Sequence, residues 1–211
     1  MTALHLISRY SASEVTNAPI NLLGNEQWSK SKRNALEKAY DVAAELLAIY
    51  AQRESVESQA YTIDETQYQQ FKASFPFEET PDQQQAIDEV TKDLCSTTPM
   101  DRVVCGDVGF GKTEVAMRAA FIAVQNNQQV AILVPTTLLA EQHGQNFIDR
   151  FSNWPVNVSV LSRFKSTKQQ KESLEQLAQG KTDIVIGTHK LIQKDVHFKN
   201  LGLIVIYINN D

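Results

Sequence analysis

Residues 102–124 read RVVCGDVGFGKTEVAMRAAFIAV: an apolar run, a glycine-punctuated turn, then a helical stretch. Gly106-Asp107-Val108-Gly109-Phe110-Gly111-Lys112-Thr113 matches G-x-x-x-x-G-K-[ST] in full. Glycines let such a turn aim its backbone N–H groups inward, and the helix that follows presents its positive end, so the stretch is suited to holding phosphate. Lys112 is expected to neutralise the β and γ phosphates of a nucleotide, and Thr113 to offer its hydroxyl to Mg2+. Both are candidate catalytic residues, and Glu114 closes the candidate nucleotide-binding set.

Working outward, short apolar runs recur at RVVCGD, QVAILVP, VNVSVLS, DIVIGT and LGLIVI, with helical stretches between them, including residues 114–124 and 138–151. Near-continuous Val, Ile and Leu alternating with helices predicts an α/β fold, a parallel sheet covered on both faces. Cys105, directly before the loop, reads as a small buried residue rather than a nucleophile.

Upstream, FPFEETPDQQQAI places Thr80 as an N-cap with Pro81 at the first helical position. Phe77 can stack on a base and the Gln83 amide can both donate to and accept from its edge, although a plain surface helix reads the same way. At expected strand ends stand Thr136 and Thr137, then Thr188, His189 and Lys190. Hydroxyls, free amides and a lysine at the carboxyl edge of a parallel sheet suit phosphate backbones; ordinary capping chemistry is the alternative. Arg163 and Lys165 are a weaker third candidate contact. The four histidines show no metal-ligand spacing, and the segment around His197 reads as a solvated turn.

The 211 residues carry a net charge of −5 and a pI near 5.4, so no global basic field points to nucleic acid and any such contact must be local. Two cysteines fit a reduced, cytoplasmic setting. MTALHLISRYSASE lacks the pattern of a signal peptide, and no run approaches 18 apolar residues. Residues 1–25 read as the trailing edge of another domain or as a tail. Over residues 28–53, Leu36, Ala39, Ala43, Leu46 and Tyr50 form one apolar stripe on a long helix. That helix is either a strut between domains or packed on the domain that follows.

Taken in order, MDRVVCGDVGFGKTEVAMRAAF, VPTTLLAEQH, SRF, IGTHKLIQ and DVHFKNLGLIVI resemble the first ATPase lobe of RecG-like superfamily 2 helicases. HLISRYS, NAPINLLG, QWSKSKRNALEKAYDVAAELLAIYAQR and FPFEETPDQQQAI narrow the resemblance to the bacterial transcription-repair coupling factors. The resemblance implies a RecA-like first translocation lobe over residues 62–211, a long connector helix over 26–58, and over 1–25 a remnant of the module that binds the RNA polymerase β subunit. It implies ATP and Mg2+ as cofactors and a motor on double-stranded DNA that displaces stalled polymerase and recruits excision-repair proteins. Phe77 and Gln83 match the adenine motif; Thr136, Thr137, Thr188 and His189 match motifs that track a DNA strand.

After LIVI that family continues Asp-Glu-Glu-His, whereas this chain reads Tyr207-Ile208-Asn209-Asn210-Asp211. The resemblance therefore implies a truncated lobe without its Walker B acids or a second lobe, inactive as an ATPase. It also implies an exposed apolar edge at strand 201–206 that favours self-association. A non-enzymatic interaction module and a fragment of a RecG-like branch-migration helicase are the alternatives.

Overall fold

Short polar side chains start four of the described helices, because the first N–H groups of a helix lack partners within it. Asp64 accepts from Gln67 N at the head of α2 (Glu65–Ala73). Thr80 and Gln83 form a reciprocal capping box on α3 (Pro81–Leu94), with Pro81 in the first turn as expected. Ser166 and Gln169 do the same for α6 (Thr167–Ala178).

The computed structural model describes residues 26–107 and 109–208. The expectations at residues 1–25, Val108 and 209–211 lie outside the described residues. The chain divides into two units, Met1–Ser55 and Val56–Asp211. In the first, the described residues form one helix, α1 (Glu26–Ser55), which contains the range predicted from its stripe. The stripe residues Leu36, Leu46 and Tyr50 are exposed.

The second unit is the α/β layer. Alongside α2, α3 and α6 it holds α4 (Lys112–Gln125), α5 (Thr137–Arg150), a short 3-10 helix (His189–Ile192) and four strands. These are β1 (Gln129–Leu133), β2 (Val158–Leu161), β3 (Ile184–Gly187) and β4 (Leu201–Ile206), all parallel in the order β2-β3-β1-β4. Alternate side chains serve opposite faces. Val130, Ile132, Val160, Ile184, Ile186 and Leu203 join Phe71, Ile87, Phe121 and Phe147 in the larger core, under α2 to α5. Ala131, Leu161 and Val185 meet Leu177 of α6 and Leu191 on the other face. Both faces are covered over β1 to β3, as unbroken Val/Ile/Leu runs require, whereas on β4 Leu203 and Val205 face the core and Ile204 and Ile206 on the other face are exposed. At Gly144 of α5 an added Cβ would lie 2.2 Å from Val160 Cγ2, so only glycine lets this helix approach β2 so closely.

One expected strand is not there. Residues 102–105 carry no ladder with any described strand, and Val103 is 82% exposed. A strand needs a partner for its N–H and C=O groups, and residues 102–105 find none among the described residues, although the outer edge of β4 is open. Cys105, expected to be buried, is exposed for the same reason. The outer edge of β4 pairs with no described strand, and Ile204 and Ile206 are 55% and 58% exposed.

Candidate nucleotide-binding site

Because the four strands are parallel and in register, their carboxyl ends form a row: Leu161 beside Gly187, Gly187 beside Leu133, Leu133 beside Ile206. The segments leaving that row carry the candidate DNA-contact residues Thr136, Thr137, Arg163, Lys165, Thr188, His189 and Lys190. The phosphate loop enters α4 with Gly109 at φ +87° and Gly111 at φ +70°, backbone that L side chains rarely adopt. No side chain caps α4; Glu114 N donates to Gly111 O at 3.0 Å. Lys112 Nζ folds over the loop and donates to Gly106 O, and to Asp107 O at 2.8 Å. The ammonium thus sits on the carbonyls of the turn it belongs to, where a polyphosphate would compete for it.

Gln83 joins the upstream segment to this loop. Its Oε1 accepts from Thr80 N at 2.8 Å and its Nε2 donates to Phe110 O at 2.7 Å. A Cβ on Gly111 would stand 2.1 Å from Gln83 Nε2, so this glycine also makes room for the amide. Phe77 stands 72% exposed, edge-on to Phe75 at 5.5 Å, and Phe110 is exposed on the loop.

Glu114 does not face this loop with its carboxylate. It is 4% exposed and accepts from Arg118 Nε at 2.7 Å, Arg150 Nη2 at 2.9 Å and Arg150 Nε at 3.2 Å. Arg118, 1% exposed, also donates to Glu79 Oε1 at 2.5 Å, and Arg150 lies 3.9 Å over the Phe71 ring. Two guanidiniums this buried need carboxylate partners, which explains why Glu114 is drawn away from the nucleotide side. Burial alone would raise the Glu79 carboxyl, but its bond to Arg118 and a backbone N–H outweigh that and hold it below the ordinary range. The network ties the segment before α3 to the first turns of α4. Glu114 and Arg118, four apart on a helix, were its one signal in the sequence.

Past β4, Tyr207 N donates to Leu133 O at 2.8 Å, extending the ladder by one residue. The Tyr207 ring lies 4.2 Å from that of His143 on α5. Tyr207 Oη and His143 Nδ1 are buried, and neither makes a hydrogen bond of ordinary geometry among the described residues. Burial pushes the Tyr207 phenol up, with the adjacent Thr113 hydroxyl acting in the opposite sense, and burial pushes the His143 imidazole down.

Elsewhere along the row, Thr136 is exposed and accepts from Leu139 N as the cap of α5, with Thr137 half-buried behind it. Thr188 precedes the 3-10 helix with no side-chain cap bond; His189 is exposed, and Lys190 Nζ donates to Gln170 Oε1 at 2.5 Å. Arg163 is exposed and Lys165 half-buried in the loop after β2. Among the described residues no cluster of His, Cys, Asp and Glu could hold a metal ion, and no helix is long and apolar enough to cross a membrane.

The profile of the DEAD/DEAH box helicase family matches residues 80–206. Transcription-repair-coupling factor of Haemophilus influenzae is 63% identical over 206 residues, and that of Escherichia coli 60% identical over 206 residues. Each alignment covers 98% of this chain and 18% of the relative, so the chain spans under a fifth of the length of these proteins. A solved structure of RecG bound to a three-way DNA junction superposes with a TM-score of 0.70 at 38% identity, covering 74% of this chain and 22% of that one.

Proposed function

This chain belongs to the DEAD/DEAH box helicase family, and on that premise we propose that it is the nucleotide-gripping part of a duplex-DNA translocase serving transcription-coupled repair. The observation that carries this reading is the phosphate loop on α4, with Lys112 folded over it and Gln83 bridging it to Thr80, in the segment that also carries the exposed Phe77. ATP would lie with its phosphates on the loop N–H groups and Lys112, and its base against Phe77. Gln83 holds the base-reading segment and the loop in one relative position. Thr136, Thr137, Arg163, Lys165, Thr188, His189 and Lys190, ranged along one edge of the sheet, would face a DNA backbone. RNA polymerase, through its β subunit, and excision-repair proteins are the partners this reading implies, in the cytoplasm, with residues 1–25 as a remnant of the polymerase-binding module and the long helix as its connector to the motor.

The test is titration calorimetry with ATP and ADP. Binding is expected, and Lys112→Ala should weaken it about tenfold or more, the effect of losing a charge-assisted hydrogen bond. Affinity unchanged in Lys112→Ala would remove the site from this loop.

Duplex DNA should bind weakly, since a chain of net charge −5 offers few phosphate contacts. Fluorescence anisotropy across a salt series measures this; submicromolar binding at physiological salt would contradict it. The unpaired β4 edge, with exposed Ile204 and Ile206, supports self-association at high protein concentration.

A second reading, a nucleotide-binding interaction module without turnover, draws on Tyr207. This family of folds uses an acid at such a strand end to hold Mg2+, and here the residue is a phenol.

A further inference from the structure

Phe77 stands exposed in the short segment between α2 and α3, and that segment is tethered on both sides of it. Before it, Arg150 donates to the Ser74 hydroxyl and lies 5.9 Å over the Phe75 ring, which meets Phe77 edge-on at 5.5 Å. After it, Arg118 Nη2 donates to Glu79 Oε1 at 2.5 Å. Both guanidiniums converge on one oxygen, since Glu114 Oε1 accepts from Arg118 Nε at 2.7 Å and from Arg150 Nη2 at 2.9 Å. Glu114 lies two residues past Lys112, in the first turn of α4. The exposed ring is thus suspended between two tethers that share one anchor beside the phosphate loop. Neither cation can exchange its carboxylate for water, because their side chains are 1% and 9% exposed.

We infer that Glu114, Arg118 and Arg150 set the preference of this site for a nucleoside triphosphate over bare polyphosphate, by fixing Phe77 relative to the phosphate loop. The inference rests on the proposed nucleotide-binding reading. A polyphosphate needs only Lys112 and the loop N–H groups, whereas a base gains only from a ring standing where it arrives. Both ends of the Gln83 amide are engaged, by Thr80 N and Phe110 O, so stacking on Phe77 carries the base. A ring already fixed stacks without a further ordering cost, and a loose one loses part of the gain. The network touches neither base nor phosphate. Glu114, Arg118 and Arg150 are positioning residues, and Glu79 and Phe75 are the links through which they act.

Calorimetric titration of the whole chain with ATP and with inorganic triphosphate, both in MgCl2, reads the two halves of the site separately. ATP is expected to bind about tenfold tighter than triphosphate, and Phe77→Ala should remove that margin. Glu79→Gln keeps the side-chain shape and an acceptor but withdraws the charge that Arg118 needs. It should weaken ATP about fivefold and leave triphosphate within about twofold. Phe75→Leu loosens the other tether without touching an ion pair and should give the same split; it decides alone if Glu79→Gln does not fold. Adding Glu79→Gln to Phe77→Ala should weaken ATP no further, because the tether acts only through that ring. A merely structural role would lower both ligands together. Equal losses for ATP and triphosphate, or an unchanged ATP affinity in folded Glu79→Gln, overturn the inference. Lys112→Ala separates the two readings. If it weakens both ligands while the unaltered chain binds triphosphate as tightly as ATP, the phosphate site stands and the role of the network falls. If neither ligand binds the unaltered chain, both fall.

Discussion

Glu114→Ala lowers the unfolding free energy by about 3–5 kcal/mol, because it removes the shared partner of two buried cations. Among the described residues Arg118 would keep Glu79, at 2.5 Å, and the Tyr68 ring, with its Nη1 already lacking a hydrogen bond, and Arg150 would keep Ser74, the Phe71 carbonyl and the Phe71 and Phe75 rings. A guanidinium 1% exposed cannot recover that loss from water. Urea unfolding of the variant against the unaltered chain measures it, and a loss below about 1 kcal/mol, the value of an exposed ion pair, would show that the network contributes little. The unaltered chain should also lose stability in acid. Glu79 is held below the ordinary carboxylate range, so its contribution is complete above that range and is lost as the pH falls through its lowered value.

Phe71→Ala costs a similar amount, about 3–5 kcal/mol, as a cavity in the aromatic centre of the larger core. Phe71 has no exposed surface. It stacks on Phe121 at 4.2 Å, tilts against Phe151 at 5.0 Å and meets Trp154 edge-on at 6.0 Å. Its ring also carries the Arg150 guanidinium at 3.9 Å, so the substitution loosens α2 from α4 and α5 together. Thermal unfolding followed by circular dichroism reports it. Phe71→Leu, which refills most of the space, should recover much of the difference. A melting temperature unchanged in Phe71→Ala would mean that α2 is not part of the cooperative core.

The phosphate loop, the caps of α3 and α5, and strands β1 to β4 were all legible in the sequence, because each rests on chemistry within a few residues. Gly109 and Gly111 mark backbone of positive φ, Thr80-Pro81 marks a helix start, and VSVL or IVIG marks a strand buried on both faces. Helix α2 escaped notice although Asp64 and its bond to Gln67 gave it a cap. Its apolar content is small, and Tyr68 and Phe71 are its only buried residues. Gln129 was invisible as a hub. It is buried, and its side chain makes four hydrogen bonds, donating to Leu177 O and Thr182 O and accepting from Lys199 N and Asn200 N.

The resemblance carried by these motifs holds over 98% of the chain, and so the family and the α/β class were decided by the sequence alone. The tertiary structure decided whether each run found a partner. RVVC has strand composition and no ladder with any described strand, and a strand exists only where a neighbour takes its hydrogen bonds. Glu114 belongs to the phosphate loop by position, and the burial of Arg118 and Arg150 turned its carboxylate inward. Tyr207 and His143 are far apart in sequence, and their rings meet at 4.2 Å because β4 pairs with β1 and Tyr207 N extends that ladder to Leu133 O. Local hydrogen bonding and periodicity are written in neighbouring residues; pairing, burial and charge compensation depend on which distant residues the packed sheet brings together.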